Sequence, residues 1–426
     1  MNRFSDAVNY YVSSFLYPLS LALIALLGWL TGAVWFTATL ASILCFAPLF
    51  GDDGRGYLAA PLCVVPMVAG QFLFTAMEGY MYMFVAAYLV SLCAFVIIRR
   101  PHFHPGVLFG PYLVLFTVFL VSVVVDVVLS GTLESDALFF VVIMILIVCE
   151  SGLTRSVLEE NRDSFRYFSW CAIAMSLLIS AEVFAFYLAD YRTIFTPTFS
   201  LGWATSKEMV STLLVCSLPF FGILIYRGKP WYALLMALPV IANILLATES
   251  GLLAMVLVFI PLVILSLRAY GRAYPYLCLG ICAAFLATFA VSLGFSPAFR
   301  DIFVRAVHSL DFVNSPNYPV YRFALDGLLA RPVVGLSAQK LVGVFTAMPG
   351  QLFLLKNTVL ATGFMGGALG LAAYAIAEIV AYYACISRHS PDRWLLLVFL
   401  VTADFIGLTD NTVYNLFFLS FYLAAM

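Results

Sequence analysis

The chain has 426 residues, of which 64% are hydrophobic and only 10% charged, and its mean hydropathy is +1.04. Soluble domains carry about 25% charged residues, so this composition excludes a water-soluble globular protein and points to an integral membrane protein. The formal net charge of −1 says nothing about partners, whereas the placement of charge does; no nucleic-acid partner is expected.

The N-terminal stretch MNRFSDAVNYYVSSF carries no cleavable-signal pattern: no small-residue cleavage site follows the first apolar run, and more runs come after it. Apolar runs then succeed one another near residues 13–30, 33–50, 57–76, 80–98, 107–129, 137–152, 169–189, 210–226, 232–248, 251–267, 275–294, 357–385, 395–409 and 411–426. They are continuous rather than alternating, which excludes barrel strands. A crossing helix needs about 20 mostly apolar residues, and the last two runs are short enough to merge or re-enter. The pattern therefore predicts an all-α polytopic membrane protein of about 11–14 transmembrane helices. The nine cysteines lie in or beside these runs, without metal-ligand spacing, and read as small packing residues.

Basic residues mark the cytoplasmic side of a membrane protein. The connections holding Arg55, Arg99 and Arg100, Arg155, Arg162 and Arg166, Arg227 and Lys229, Arg268 and Arg272, and Arg388 and Arg393 all fall on one side of the predicted spans. Connections such as SGTLESDA between them lack Lys and Arg. Both termini are thus expected in the cytoplasm. Two far-side segments break the pattern, residues 190–209 and the long loop 296–356. About 60 residues with the periodicity of YRFALDGLLARPVVG are expected to form short amphipathic helices at the outer membrane face. The chain so divides into N-terminal spans (1–189), central spans with the first basic far-side loop (190–295), the long far-side loop (296–356) and C-terminal spans (357–426).

The far-side cations are Arg192, Lys207, Arg300, Arg305, Arg322, Arg331, Lys340 and Lys356. Arginine offers a planar fork and lysine a compact charge, so cations gathered at the mouth of a membrane cavity suit a phosphate or diphosphate. The plainer alternative is pairing with lipid phosphates or with Glu208, Asp301, Asp311 and Asp326. In ATESGLLAMVLVF, Thr248, Glu249 and Ser250 open a helix, where they either cap free N–H groups or, for Glu249, take a proton in the outer cavity. His102 and His104 form an HxH without companion ligands and are not read as a metal site. Asp126, Glu150, Glu182, Glu378 and Asp404 lie in or near spans, scattered along the chain, and are expected to face other helices or the interfaces. The glycines of KNTVLATGFMGGALG allow close approach of a neighbouring helix or a lipid tail.

Four segments give the chain a resemblance to the O-antigen ligase and polymerase superfamily of bacterial envelope glycan assembly. ATESGLLAMVLVF resembles that family's serine-arginine segment, with Thr248 and Glu249 in those places. YRFALDGLLARPVVGLS resembles its arginine, amphipathic helix, proline and glycine segment through Arg322, Pro332 and Gly335. KNTVLATGFMGGALG resembles its histidine-asparagine segment through Asn357, Leu360, Gly363 and Gly366, with Lys356 where the histidine stands. GWATSKEMVSTLLVCSLPFF resembles the polar start of a mid-chain span. The similarity covers residues 190–426.

The resemblance implies a GT-C-like, all-helical membrane glycosyltransferase of the bacterial inner membrane, with its site on the periplasmic face. It implies an inverting-type reaction, with no metal and no cofactor. The donor is a polyprenyl-diphosphate-linked glycan, and other envelope polysaccharide assembly proteins are possible partners. Arg192, Lys207 and Arg322 are expected to bind the diphosphate, Lys356 or Glu249 to act as base, and Asn357 to position the acceptor. The departures at positions 249 and 356 favour a polymerase over a ligase. The alternatives are a transporter or flippase of lipid-linked glycan, and a non-catalytic subunit of an envelope polysaccharide machine.

Overall fold

A computed structural model describes residues 2–51, 54–63, 78–133, 135–158, 164–189, 207–227, 235–270, 318–338, 340, 355, 357–388, 393–409, 413–414 and 416–426, with scattered residues between 283 and 304. Among the described residues the regular structure is helical, with no strand. In chain order the helices are α1 (Asn2–Ser13), α2 (Leu16–Thr31), α3 (Val34–Leu44), α4 (Ala59–Cys63), α5 (Glu78–Arg99), α6 (Phe109–Ser130), α7 (Ser135–Leu158), α8 (Ser164–Ala189), α9 (Lys207–Arg227), α10 (Ala237–Leu246), α11 (Glu249–Tyr270), α12 (Tyr318–Ala330), α13 (Thr358–Ser387), α14 (Arg393–Thr409) and α15 (Leu416–Ala425).

Helices α6, α7, α8 and α13 are each long and apolar enough to cross a membrane. The α1–α2 pair, bent by 68°, adds a fifth candidate. Shorter apolar helices, including α10 and part of α11, accompany them. This is the make-up of an all-α membrane protein. A helix satisfies its own backbone polar groups, which hydrocarbon cannot do for it.

The chain forms two compact units. The first takes Met1–His104 and Leu153–Val304. Its centre is α8, against which α2, α9 and α10 pack. Cys171, Ile173, Ile179 and Val183 of α8 are buried, and Phe168 meets Phe220 of α9 edge-on at 5.0 Å. Near the N-terminus a 3-10 turn seats Tyr57 beneath α5, where its hydroxyl is 2.9 Å from that of Ser91.

The second unit takes Pro105–Gly152 and Arg305–Ala424, with Met426. Here α13 packs on α6, α12 and α14. An aromatic seam of Tyr112, Phe116 and Phe119 on α6 meets Tyr414 and Tyr422, with Phe119 and Tyr414 5.6 Å apart. Helix α13 is not continuous. Gly367 has φ 59° and ψ −151°, which breaks it about one third of the way along. The amphipathic segment expected from YRFALDGLLARPVVG is helix α12. It buries Tyr321, Ala324 and Gly327, one turn apart, and leaves Arg322, Phe323, Leu325 and Asp326 exposed.

Candidate functional site

The site in the second unit grows from two short sequences, ARPVVGLS and FMGGALG. Pro332 cannot continue α12 because it has no N–H to donate. The chain turns, and the N–H of Gly335 donates to the carbonyl of Arg331 at 2.9 Å. This turn enters the break in α13. Leu336 N–H donates to the Phe364 carbonyl at 2.8 Å, on the end of the first half-helix. Ala368 and Leu369 N–H donate to the carbonyls of Pro332 and Val333, at 2.7 and 3.2 Å, at the start of the second half. A helix end leaves backbone groups without partners, and at membrane depth each would be costly. The inserted turn supplies partners at both broken ends.

That clasp sets the positions of the side chains that follow. The Arg331 guanidinium donates to Oδ1 of Asp126 on α6 at 2.7 Å. The Lys340 ammonium stands 3.9 Å from Oδ2 of the same carboxylate, and the Ser337 hydroxyl donates to that oxygen at 3.4 Å. Asp126 is fully buried, whereas the Arg331 and Lys340 side chains are 29% and 47% exposed. Two cations thus meet one anion, and the surplus positive charge opens outward. Ser337 holds φ at 75°, a left-handed value a serine rarely adopts. One turn before Asp126, the buried Ser122 hydroxyl has no hydrogen-bond partner.

The residues singled out from sequence are distributed as follows. Arg192 and Lys356 lie outside the described residues, as does most of the loop 296–356. Arg322 is exposed on α12 and pairs with Asp326 at 4.0 Å, one turn on. Asn357 caps α13: its side-chain oxygen accepts from Leu360 N–H at 2.9 Å, while its amide donates to the Leu408 carbonyl on α14, also at 2.9 Å. Lys207 and Glu249 belong to the first unit, where each opens a helix, Lys207 buried and Glu249 half-buried.

In that unit α9 and α11 meet through a buried polar chain. Ala247 takes a left-handed conformation (φ 50°) at the end of α10, which turns the backbone straight into α11. Thr248 then donates to the Ser211 hydroxyl at 2.6 Å, and Ser211 donates to the side-chain oxygen of Asn243. The Asn243 amide donates to the Gly251 carbonyl at 3.1 Å. The Thr248 hydroxyl is therefore committed to α9. Ser211 stands one turn after Lys207, so the Thr248 hydroxyl meets α9 near its first turn.

Sequence reasoning placed Arg331, Lys340 and Asp126 among the charges but did not single them out. A signal was present: Asp126 is the one acid or base within the apolar α6 sequence, and Arg331 directly precedes the proline that ends α12. Glu378 of α13 accepts from the Tyr422 hydroxyl of α15 at 3.2 Å, and Asp404 of α14 accepts from the Tyr382 hydroxyl of α13 at 2.5 Å. Among the described residues no three His, Cys, Asp or Glu side chains are placed to hold a metal ion. No protein-family model matches the chain, and no curated protein matches it.

Proposed function

We propose that the chain is a membrane glycosyltransferase that lengthens or transfers a glycan carried on a polyprenyl diphosphate, in the manner of the O-antigen ligases and polymerases it resembles. The observation that carries this reading is the convergence of Arg331 and Lys340 on buried Asp126, beside a helix break closed by the ARPVVG turn. In the reaction the acceptor hydroxyl oxygen bonds to the anomeric carbon. The bond from that carbon to the diphosphate oxygen breaks, its electron pair leaves with the diphosphate, and the hydroxyl proton passes to a base. Fixed cations stabilise the charge building on the leaving oxygen. Asp126 holds the two cations in place, and their exposed sides face the ligand. Arg322 on the preceding helix adds a third charge from the same segment.

This reading carries the finer architecture with it: about 11–14 spans in a bacterial inner membrane, both termini in the cytoplasm, and the Asp126 end of α6 outside. Lys356 is the candidate base within the second unit, next to the helix-capping Asn357. The test is transfer by the purified chain in nanodiscs supplied with a polyprenyl-diphosphate oligosaccharide. Longer lipid-linked glycan, or glycan moved to an added acceptor, supports the proposal. No transfer, with intact folding, refutes it.

One observation favours transport instead. A discontinuous helix is a recurrent element of secondary transporters, and α13 is one. Movement of the lipid-linked glycan across liposomes, without chain growth, would select that reading.

A further inference from the structure

The two cations that meet Asp126 are not held alike. Arg331 is fixed through its backbone and its side chain. Its N–H donates to the Gly327 carbonyl at 3.4 Å, and its carbonyl accepts from Gly335 N–H at 2.9 Å. Its guanidinium meets Oδ1 of Asp126 at 2.7 Å, the length of a charge-assisted hydrogen bond. Lys340 lies beyond the clasp, after the buried Ser337 and Ala338. Its ammonium stands 3.9 Å from Oδ2, too far for a hydrogen bond, and its side chain is 47% exposed against 29% for Arg331. Among the described residues that ammonium has no hydrogen-bond acceptor. It is a group of donors only, carried on a flexible stem.

Charge balance separates the two further. Asp126 and Arg331 cancel, so the surplus charge of the cluster is that of Lys340, its more exposed cation. Drawing Lys340 outward leaves a neutral, hydrogen-bonded pair. Drawing Arg331 outward would leave a buried carboxylate without a hydrogen-bonded cation, which is the costlier change. We propose that Lys340 is the ligand-gripping cation of the cluster: it exchanges Asp126 for a phosphate oxygen, while Arg331 stays on Asp126 and keeps the clasp closed. The ligand is a phosphate or diphosphate group, whose oxygens accept the hydrogen bonds that Asp126 does not take from Lys340. This assignment rests on the reading of the cluster as a diphosphate site, and adds which cation moves.

The test is thermal unfolding of the full chain in nanodiscs of zwitterionic phosphatidylcholine. Inorganic pyrophosphate is titrated against sodium chloride of equal ionic strength. A ligand of the folded state raises Tm. Pyrophosphate should raise the Tm of the wild type and of Lys340→Arg, which keeps the charge. It should bind Lys340→Ala about tenfold more weakly or worse, as expected for the loss of a hydrogen bond to a charged group. Without pyrophosphate, Lys340→Ala should unfold at the wild-type Tm and Arg331→Ala well below it. Nanodiscs with added phosphatidylglycerol distinguish the sources of the phosphate. A rise in Tm there without pyrophosphate, missing from Lys340→Ala, makes a lipid headgroup the group that Lys340 grips. A wild type indifferent to both would overturn the proposal, as would a Lys340→Ala variant that responds like the wild type or is as unstable as Arg331→Ala. Glycan transfer tells the two readings apart. Pyrophosphate binding through Lys340 without transfer leaves this proposal standing and removes glycosyl transfer, and undiminished transfer by Lys340→Ala does the reverse.

Discussion

Gly335 and Gly367 meet backbone to backbone. A Cβ on Gly335 would fall 2.7 Å from the Gly367 nitrogen, and one on Gly367 would fall 2.6 Å from the Gly335 nitrogen. Both hold positive φ, 72° and 59°. The turn enters the helix only because neither residue has a side chain, and what it meets is rigid backbone on both sides.

Alanine at either position is therefore destabilising. A left-handed conformation and a backbone collision together cost about 1–3 kcal/mol or more. Gly363→Ala is the control, since its Cβ would meet the tips of Leu328 and Leu371, each at 3.4 Å, which are ordinary contacts. Thermal unfolding in detergent should show a clear loss of Tm for Gly335→Ala and Gly367→Ala and little change for Gly363→Ala. Equal behaviour of all three would contradict the clasp.

Asp126→Ala leaves Arg331 and Lys340 without their shared anion. Breaking a buried pair from one side costs about 3–5 kcal/mol, whereas removing both partners costs much less. A double-mutant cycle between Asp126→Ala and Arg331→Ala should therefore show strong positive coupling. Additive losses of stability would mean that the two side chains do not interact in the folded protein.

Arg322→Ala separates function from stability. Its pairing with Asp326 is between side chains 72% and 68% exposed, a geometry that contributes little to folding. The variant should keep wild-type expression and Tm while losing chain growth. Wild-type glycan length in this variant would remove Arg322 from the diphosphate site.

Gly251 is the counterpart in the first unit. A Cβ there would lie 1.7 Å from the Ser211 hydroxyl oxygen and 2.4 Å from that of Thr248. Gly251→Ala should lower Tm, and adding Ser211→Ala should restore part of the loss by removing the nearer obstacle. If the second change restores nothing, α11 does not pack on α9 through Gly251 and Ser211.

Composition and run length make the helical membrane character legible, and the apolar periodicity within YRFALDGLLARPVVG is that of a helix, which α12 forms over its first part. Helix periodicity is a local property, and these features are local. The break at Gly367 was visible only as a glycine pair, which reads equally well as helix packing, and Gly366 does pack that way, against Phe119. The Asp126–Arg331 pair joins positions 205 residues apart, and Glu378 meets Tyr422 44 residues further on. No spacing rule reaches such distances. Arg322 lies within α12 and Arg331 just beyond its end, and which of them meets Asp126 depends on where Pro332 turns the chain.

The discontinuity in α13 also bears on how this segment is threaded into a bilayer during synthesis. From Ala368 to Ser387 the second piece has twenty residues, the length of one full crossing. The ten-residue piece before it need not be stored in hydrocarbon while the rest of the chain emerges. It can wait at the lipid headgroups until residues 332–336, made earlier, fold against it, so insertion and docking become separate events in time.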